Sequence, residues 1–336
     1  MARAPDRKRD TFFLGAGFSR SVGLPNTAEL LSEVHALAKR EDLVIEDHLK
    51  EAYRYFYPEE ATSFVPEVVD FFSVLRAHDD VARKMPGSFA YPSLLNDLRL
   101  AIVRLLCERT RDLAIPAGGW PNVDRIITPG HVIITSNWDL FVEHYAAQRG
   151  IPLRLGGKPG DGHVTLLKLH GSTDWTHRQH RRPARPDADF APLREMQNAA
   201  RPHTITITSD DVVLRIRAVE NMSRSWQFIK ARTFRPLMVT MSLGKTVDME
   251  PILFMWEDAY YALSATRRLQ IIGYSMPADD IEIRTLLRAG VARGATNPRA
   301  ASAQVTVVNP ETQVHVRVRT LVSRTAASDY GAFNPG

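Results

Sequence analysis

Three short apolar runs punctuate the chain, and each ends in small or polar residues that do not continue it. Residues 11–14 (TFFL) lead into GAGFSRSVGLP at 15–25, 131–134 (HVII) into TSNWD at 135–139, and 164–169 (VTLLKL) into HGS at 170–172. Runs of this length and composition read as buried strands. The stretch from 27 to 120 has a different rhythm. Apolar residues there recur at helical spacing, most clearly over 93–114, where Leu94, Leu95, Leu98, Ala101, Ile102, Leu105 and Leu106 share one face. Residues 27–38 also read as helix, as does 140–148 (LFVEHYAAQ). The long helical stretch ends at 115–122 (IPAGGWPN), where prolines and glycines stop it.

Each strand end carries candidate chemistry. Gly15 and Gly17 allow close approaches that a Cβ would block, so their amides can point at a phosphate, with Ser19 adding a hydroxyl donor. The next glycine, Gly23, is too far on for the usual GxGxxG fingerprint, and no P-loop lysine is present. A tight structural turn accounts for these glycines equally well. Asn137, at the carboxyl end of the second strand, is a neutral group able to hold a ribose hydroxyl or a water, and Asp139 can accept from an amide or cap the following helix. His170 is the side chain best suited to move a proton near neutral pH, and the glycine after it is expected to leave the ring accessible. A lone histidine after a strand is more often structural. Three strand-end motifs in the order glycine nest, asparagine, histidine are hard to obtain by chance.

Composition narrows the picture. The 336 residues are 44% hydrophobic, enough for one large domain or a core with a helical module, and no run approaches membrane-spanning length. Residues 1–10 form a polar tail without the apolar centre of a secretion signal. The single cysteine, Cys107, reads as a core residue and fits a reducing, cytoplasmic setting. The 43 basic residues are offset by 38 acidic ones, so the net charge of +5 does not specify nucleic acid. A basic run at 176–190 (THRQHRRPARPDADF) reads as an exposed loop that leaves a phosphate-bearing ligand, an acidic partner surface or nucleic acid open. His177 and His180 near His170 lack a completing ligand, so no metal site is expected.

The GAG at 15–17, the TSNWD and the HG together resemble the sirtuin-like family, whose core is a Rossmann-type NAD-binding domain with a GAG phosphate loop, a TxNxD element and a catalytic HG. The similarity extends to 269–280 (LQIIGYSMPADD), like the family's strand and Gly-Tyr-Ser loop, and to 305–310 (VTVVNP), like its ribose-contacting strand. The resemblance implies an α/β fold in which a Rossmann-type parallel sheet is flanked by helices. The core would comprise 1–26 and 121–322, with a variable insertion at 176–235, a helical insertion at 27–120 and a disordered tail at 323–336. NAD+ would be the substrate. Its pyrophosphate would lie over Gly15, Ala16, Gly17 and Ser19, with Phe18 also in the binding set, its adenosine ribose near Asn309, and its nicotinamide ribose against the catalytic Asn137 and His170. Thr135, Ser136, Asp139, Gly273, Tyr274 and Ser275 complete the binding set that the resemblance implies.

Departures from the family pattern matter too. Histone-type sirtuin deacylases carry a four-cysteine zinc ribbon after the HG, which one cysteine cannot supply, so the fold is expected without a ribbon and without metal. The acidic and arginine residues that follow the loop in deacylases are replaced by Asn26 and Thr27, and the usual glutamine of the second motif is Ser136. The combination is similar to the zinc-free bacterial branch, members of which hydrolyse NAD in defence against phage and mobile DNA. It implies an NAD glycohydrolase releasing nicotinamide and ADP-ribose. The alternatives are a zinc-independent deacylase or ADP-ribosyltransferase, which would hand the sugar to another acceptor, and a silent NAD or ADP-ribose sensor. Because an unregulated NAD hydrolase is toxic, autoinhibition, assembly into a homo-oligomer or a separate activating protein is expected, with the helical insertion as the surface for it.

Overall fold

In the computed structural model of the chain the described residues are 10–41, 43, 45–60, 64–82, 94–177, 194–196, 205–207, 236–240, 246–296, 303–323 and 325–336. The main sheet contains β1 (Asp10–Leu14), β2 (Val132–Thr135), β3 (Leu153–Leu155), β4 (Val164–Lys168), β7 (Ile205–Ile207), β9 (Arg268–Ile272), β10 (Gln304–Val308) and β11 (Ala327–Asp329). A smaller sheet holds β5 (Gly171–His177), β6 (Arg194–Met196) and β8 (Pro236–Met238). The connecting helices are α1 (Ala16–Arg20), α2 (Leu30–Arg40), α3 (Ile45–Phe56), α4 (Val68–Ala82), α5 (Leu94–Arg111), α6 (Pro121–Ile126), α7 (Phe141–Gln148), α8 (Thr246–Met249), α9 (Leu253–Ala265), α10 (Ile281–Thr296) and α11 (Thr312–Leu321).

The eight strands of the main sheet run in the order β11-β10-β9-β1-β2-β4-β3-β7, and all pair in parallel except β7 at the β3 edge. This is the Rossmann-type α/β sheet that the resemblance implies. The chain leaves β1 first towards β2 and later returns on its other side as β9, so strand order reverses between β1 and β9. Open α/β sheets bind ligands outside the carboxyl ends of their strands at such a reversal. Strands β1, β2 and β4 are buried at every position, as expected where helices cover both faces.

The helical insertion shares one continuous core with the sheet. Its centre is α5, which packs against α2, α3 and α4 and also against β5 and β8. Helix α5 therefore buries more than the single face expected from its periodicity. Leu100, Val103, Arg99 and Arg104 are also buried, while Leu95 is only partly covered. The two arginines are neutralised in place: Arg99 Nη2 lies 3.0 Å from Asp248 Oδ2, and Arg104 pairs with Glu41 and Glu108. Cys107 is fully buried on the same helix.

The segment after residue 322 is not the disordered tail expected from its small, polar side chains. Strand β11 extends the sheet beside β10. Asn122 N–H donates to Pro335 O at 3.0 Å, and the Phe333 ring sits 4.9 Å from that of Phe18. Backbone hydrogen bonding to a sheet edge does not depend on side-chain apolarity, so composition concealed this strand. The basic run lies, from 178 to 190, outside the described residues, as does most of the 176–235 insertion. Among the described residues no helix is long and apolar enough to cross a membrane, and no cluster of three or more His, Cys, Asp or Glu side chains could hold a metal ion.

Candidate functional site

A cavity of about 690 Å³ opens where β1, β2, β4 and β9 end, within the size range of small-molecule sites. The loop and short helix α1 after β1 contribute Ala16 and Ser19, the loop after β2 Ser136, Asn137 and Asp139, the turn after β4 His170, and the loop after β9 Gly273, Tyr274 and Ser275. Gly15, Gly17, Phe18, Thr135 and Asn309, which belong to the same expected set, do not line it. The opposite wall comes from the insertion: Asn26, Thr27 and Leu30 before and on α2, Glu67, Asp70 and Ser73 around α4, and Leu106 on α5.

The glycines of the first loop interlock with the loop after β9. Gly15 N–H donates to Ile272 O at 3.0 Å, Gly17 N–H to Gly273 O at 2.8 Å, and Phe18 N–H to Gly15 O at 3.0 Å. These amides are committed to protein, which corrects the expectation that they point at a phosphate. The close approach is what requires glycine: a Cβ on Gly15 would stand 2.5 Å from Tyr274 Cα, and one on Gly273, whose φ is +63°, would stand 2.2 Å from Phe18 N. Three residues after Gly273, buried Met276 has φ +55° immediately before Pro277, a strained conformation for a side chain of this type. Strain of this kind is held only where the surroundings dictate it.

Asn137, Ser19 and Asp139 form one network. Asn137 Nδ2 donates to Gly15 O and to Ser19 Oγ, both at 2.9 Å, and Ser19 Oγ donates to Asp139 Oδ2 at 2.8 Å. The Ser19 hydroxyl, expected on a phosphate, is thus spent on Asp139. Asp139 Oδ1 accepts from Phe141 N–H at 3.0 Å and so also performs the capping role at the start of α7. Thr135 Oγ1 accepts from Asn137 N–H and donates to Leu14 O, which fixes the strand end. With the Asn137 amino group occupied, the amide oxygen is what this side chain offers a ligand.

Behind this loop stands a cation that periodicity did not reveal. Lys168, the last residue of β4, is 1% exposed at its side chain; its Nζ donates to Asp139 O at 2.5 Å and to Glu143 Oε1 at 3.1 Å. Burial pushes the Glu143 carboxyl above its ordinary range, and the adjacent Lys168 ammonium opposes that rise. Through these two bonds Lys168 ties the TSNWD loop and α7 to the end of β4.

His170 is buried, not accessible as the neighbouring glycine suggested. Gly171, with φ +79°, instead permits the approach of β8: a Cβ there would meet Leu237 O at 2.0 Å. Val239 N–H donates to His170 O at 2.8 Å, and Trp256 Nε1 donates to Leu169 O at 3.0 Å, so the turn is held on both sides of the histidine. His170 Nε2 stands 3.8 Å from Asp280 Oδ1, and Tyr274 Oη donates to Asp280 Oδ2 at 2.6 Å. Burial first, and then the Asp280 charge, holds the Tyr274 hydroxyl well above its ordinary range, so it stays a donor. Asp280 lines the cavity but was absent from the residues expected there; its position in the ADD after the Gly-Tyr-Ser loop was the available signal.

Asn309 serves the fold instead. Its Oδ1 accepts from Glu311 N–H at 2.9 Å beside the start of α11, and its carbonyl accepts from His315 Nε2 at 2.6 Å. The cavity lining is acidic: Glu67, Asp70, Asp139, Asp279 and Asp280 contribute carboxyls, and among the described residues lining it none is lysine or arginine. Neither a family model nor a curated protein matches the chain.

Proposed function

We propose that the chain is an NAD glycohydrolase that cleaves NAD+ to nicotinamide and ADP-ribose, as its resemblance to the zinc-free sirtuin-like branch implies. The observation that carries the reading is the convergence of Asn137 and His170, from separate strand ends, on one cavity at the reversal of strand order. The residues fit the sugar end of NAD+ better than its pyrophosphate, because the Gly15 and Gly17 amides are occupied; Ala16 and Ser275 line the path left for the phosphates.

Cleavage of the N-glycosidic bond passes through an oxocarbenium-like ribose. Nicotinamide leaves with the bonding pair, which neutralises its ring, and water adds to the anomeric carbon. The Asn137 amide oxygen accepts from that water or from a ribose hydroxyl, and His170 takes the proton. Carboxyls around the cavity favour the cationic ring and the sugar cation that develops. The proposed setting is bacterial defence against phage or mobile DNA, with activation by self-assembly or by a partner protein.

The test is release of nicotinamide and ADP-ribose from NAD+ by the purified chain and by His170→Ala. General acid–base groups contribute about 100- to 10,000-fold, so the variant is expected to lose at least 100-fold while remaining folded. Full activity in the variant would remove His170 from the mechanism.

A further inference from the structure

The groups around His170 do more than line a cavity. Asp280 Oδ1 faces His170 Nε2 at 3.8 Å, an ion-pair distance that shortens readily to a charge-assisted hydrogen bond once the ring is protonated. The other carboxylate oxygen is fixed by Tyr274 Oη at 2.6 Å. All three side chains are buried, so their mutual electrostatics are little screened. The loop that carries Tyr274 and Asp280 is anchored to the first loop through Gly17 N–H and contains the strained Met276. Such anchoring sets the Asp280 carboxylate against the ring independently of any ligand.

We infer that Asp280 is the positioning residue of His170, fixing the ring in the cavity and favouring its protonated form, with the Tyr274 hydroxyl drawing off part of the Asp280 charge. The inference rests on the proposed function for its catalytic meaning, since a base that takes a proton at the sugar needs a counter-charge for the imidazolium it becomes. Its physical content stands apart from the identity of the substrate.

Other ionisable groups share the cavity: Asp139 after β2, Glu67 and Asp70 around the start of α4, and Asp279 beside Asp280. Each of these is also negative when ionised and would favour the imidazolium, so the test must vary Asp280 and Tyr274 and leave the rest intact. Asp280→Asn removes the charge at constant shape; Tyr274→Phe removes the donor that partly quenches it. The two changes act on His170 in opposite directions.

The measurement is the proton NMR titration of the His170 ring, assigned by its loss in His170→Ala, in the free protein. Relative to wild type the midpoint is expected to fall by roughly one pH unit in Asp280→Asn and to rise in Tyr274→Phe. Midpoints that stay within 0.2 of wild type, or move in the same direction, overturn the inference. Should Asp280→Asn fail to fold, the rise in Tyr274→Phe carries the test, and no rise overturns it. In parallel, nicotinamide release is expected to fall at least roughly 10-fold in kcat in Asp280→Asn with KM within about twofold, and the acid limb of its pH profile is expected to move to lower pH. Shifted midpoints in a protein that neither binds NAD+ nor releases nicotinamide would overturn the proposed function and leave the positioning pair standing. Unmoved midpoints in an active hydrolase would do the reverse.

Discussion

Asn137 Nδ2 and Ser19 Oγ are 2.9 Å apart, and this bond joins the TSNWD loop to the glycine loop across two neighbouring strands. It is the middle of a chain that runs from Gly15 O through Asn137 and Ser19 to Asp139, and on to the first amide of α7. The geometry of either loop therefore depends on the other.

Removing either partner should be costly in two separable ways. Asn137→Ala is expected to lower nicotinamide release at least about 100-fold. Ser19→Ala leaves buried Asp139 and Asn137 each short of a partner and is expected to cost roughly 1–3 kcal/mol of stability by denaturant unfolding. A double-mutant cycle between them should show coupling of at least about 0.5 kcal/mol, because the two side chains share one hydrogen bond. Strict additivity would mean the network is not formed in solution.

The contact between the first loop and the loop after β9 is backbone against backbone, so it has no slack. Gly273→Ala introduces both a forbidden approach to Phe18 N and a strained φ. Neither backbone can yield without breaking the Gly17 N–H bond to Gly273 O. The expected result is a loss of roughly 2–4 kcal/mol, read from the denaturation midpoint, together with loss of whatever ligand binding the cavity supports.

How much of this was legible follows from the kind of interaction involved. The strand ends at Gly15, Thr135, His170 and Gly273 are local patterns, each an apolar run broken by small or polar residues, and the segments they open bring Ala16, Ser136, His170 and Gly273 to one cavity. Lys168 and Asp280 were hidden because their meaning lies in partners on other elements: Glu143 on α7 for one, His170 after β4 for the other, with Tyr274 holding Asp280 from within its own loop. A lysine near the end of an apolar run looks like the edge of a strand, not a buried cation. The acidic wall from Glu67 and Asp70 was hidden for the same reason, since nothing in helical periodicity says which residues of an insertion turn back towards the core. Asn309 misled in the opposite sense. Its place at a strand end matches a ligand contact, but the same position also precedes α11, and the local hydrogen bond to Glu311 N–H takes its side chain.

The Lys168–Glu143 pair predicts a pH dependence. The Glu143 carboxyl is raised in the folded chain from an ordinary value of 4.5, chiefly by burial. A raised carboxyl binds its proton more tightly when folded, so its contribution to stability is fully present below the unfolded value and is lost as pH rises through the folded one. Glu143→Gln mimics the protonated form. Its stability relative to wild type is therefore expected to improve as pH is raised from about 4.5, and denaturation curves at a series of pH values would show it. Lys168→Met alone should be far worse, by roughly 3–5 kcal/mol, because it leaves Glu143 buried without its cation.

Charge also sets what the cavity will accept. Glu67 Oε2 is held by Asp70 N–H at 3.0 Å, and Asp70 Oδ2 by Tyr57 Oη at 2.6 Å, so these carboxyls are fixed in the wall that the insertion builds. A dinucleotide with an added 2′-phosphate brings further negative charge into a lining where, among the described residues, no lysine or arginine meets it. An arginine is the usual means of accommodating that group. NAD+ is therefore expected to be cleaved in preference to its 2′-phosphorylated counterpart, by at least roughly tenfold in kcat/KM, or about 1.4 kcal/mol. Replacing Glu67 and Asp70 together by glutamine and asparagine should narrow the gap by acting on the phosphorylated substrate, with NAD+ cleavage changed less. Equal kcat/KM for the two substrates in the unaltered chain would show that the adenosine end lies away from the acidic wall.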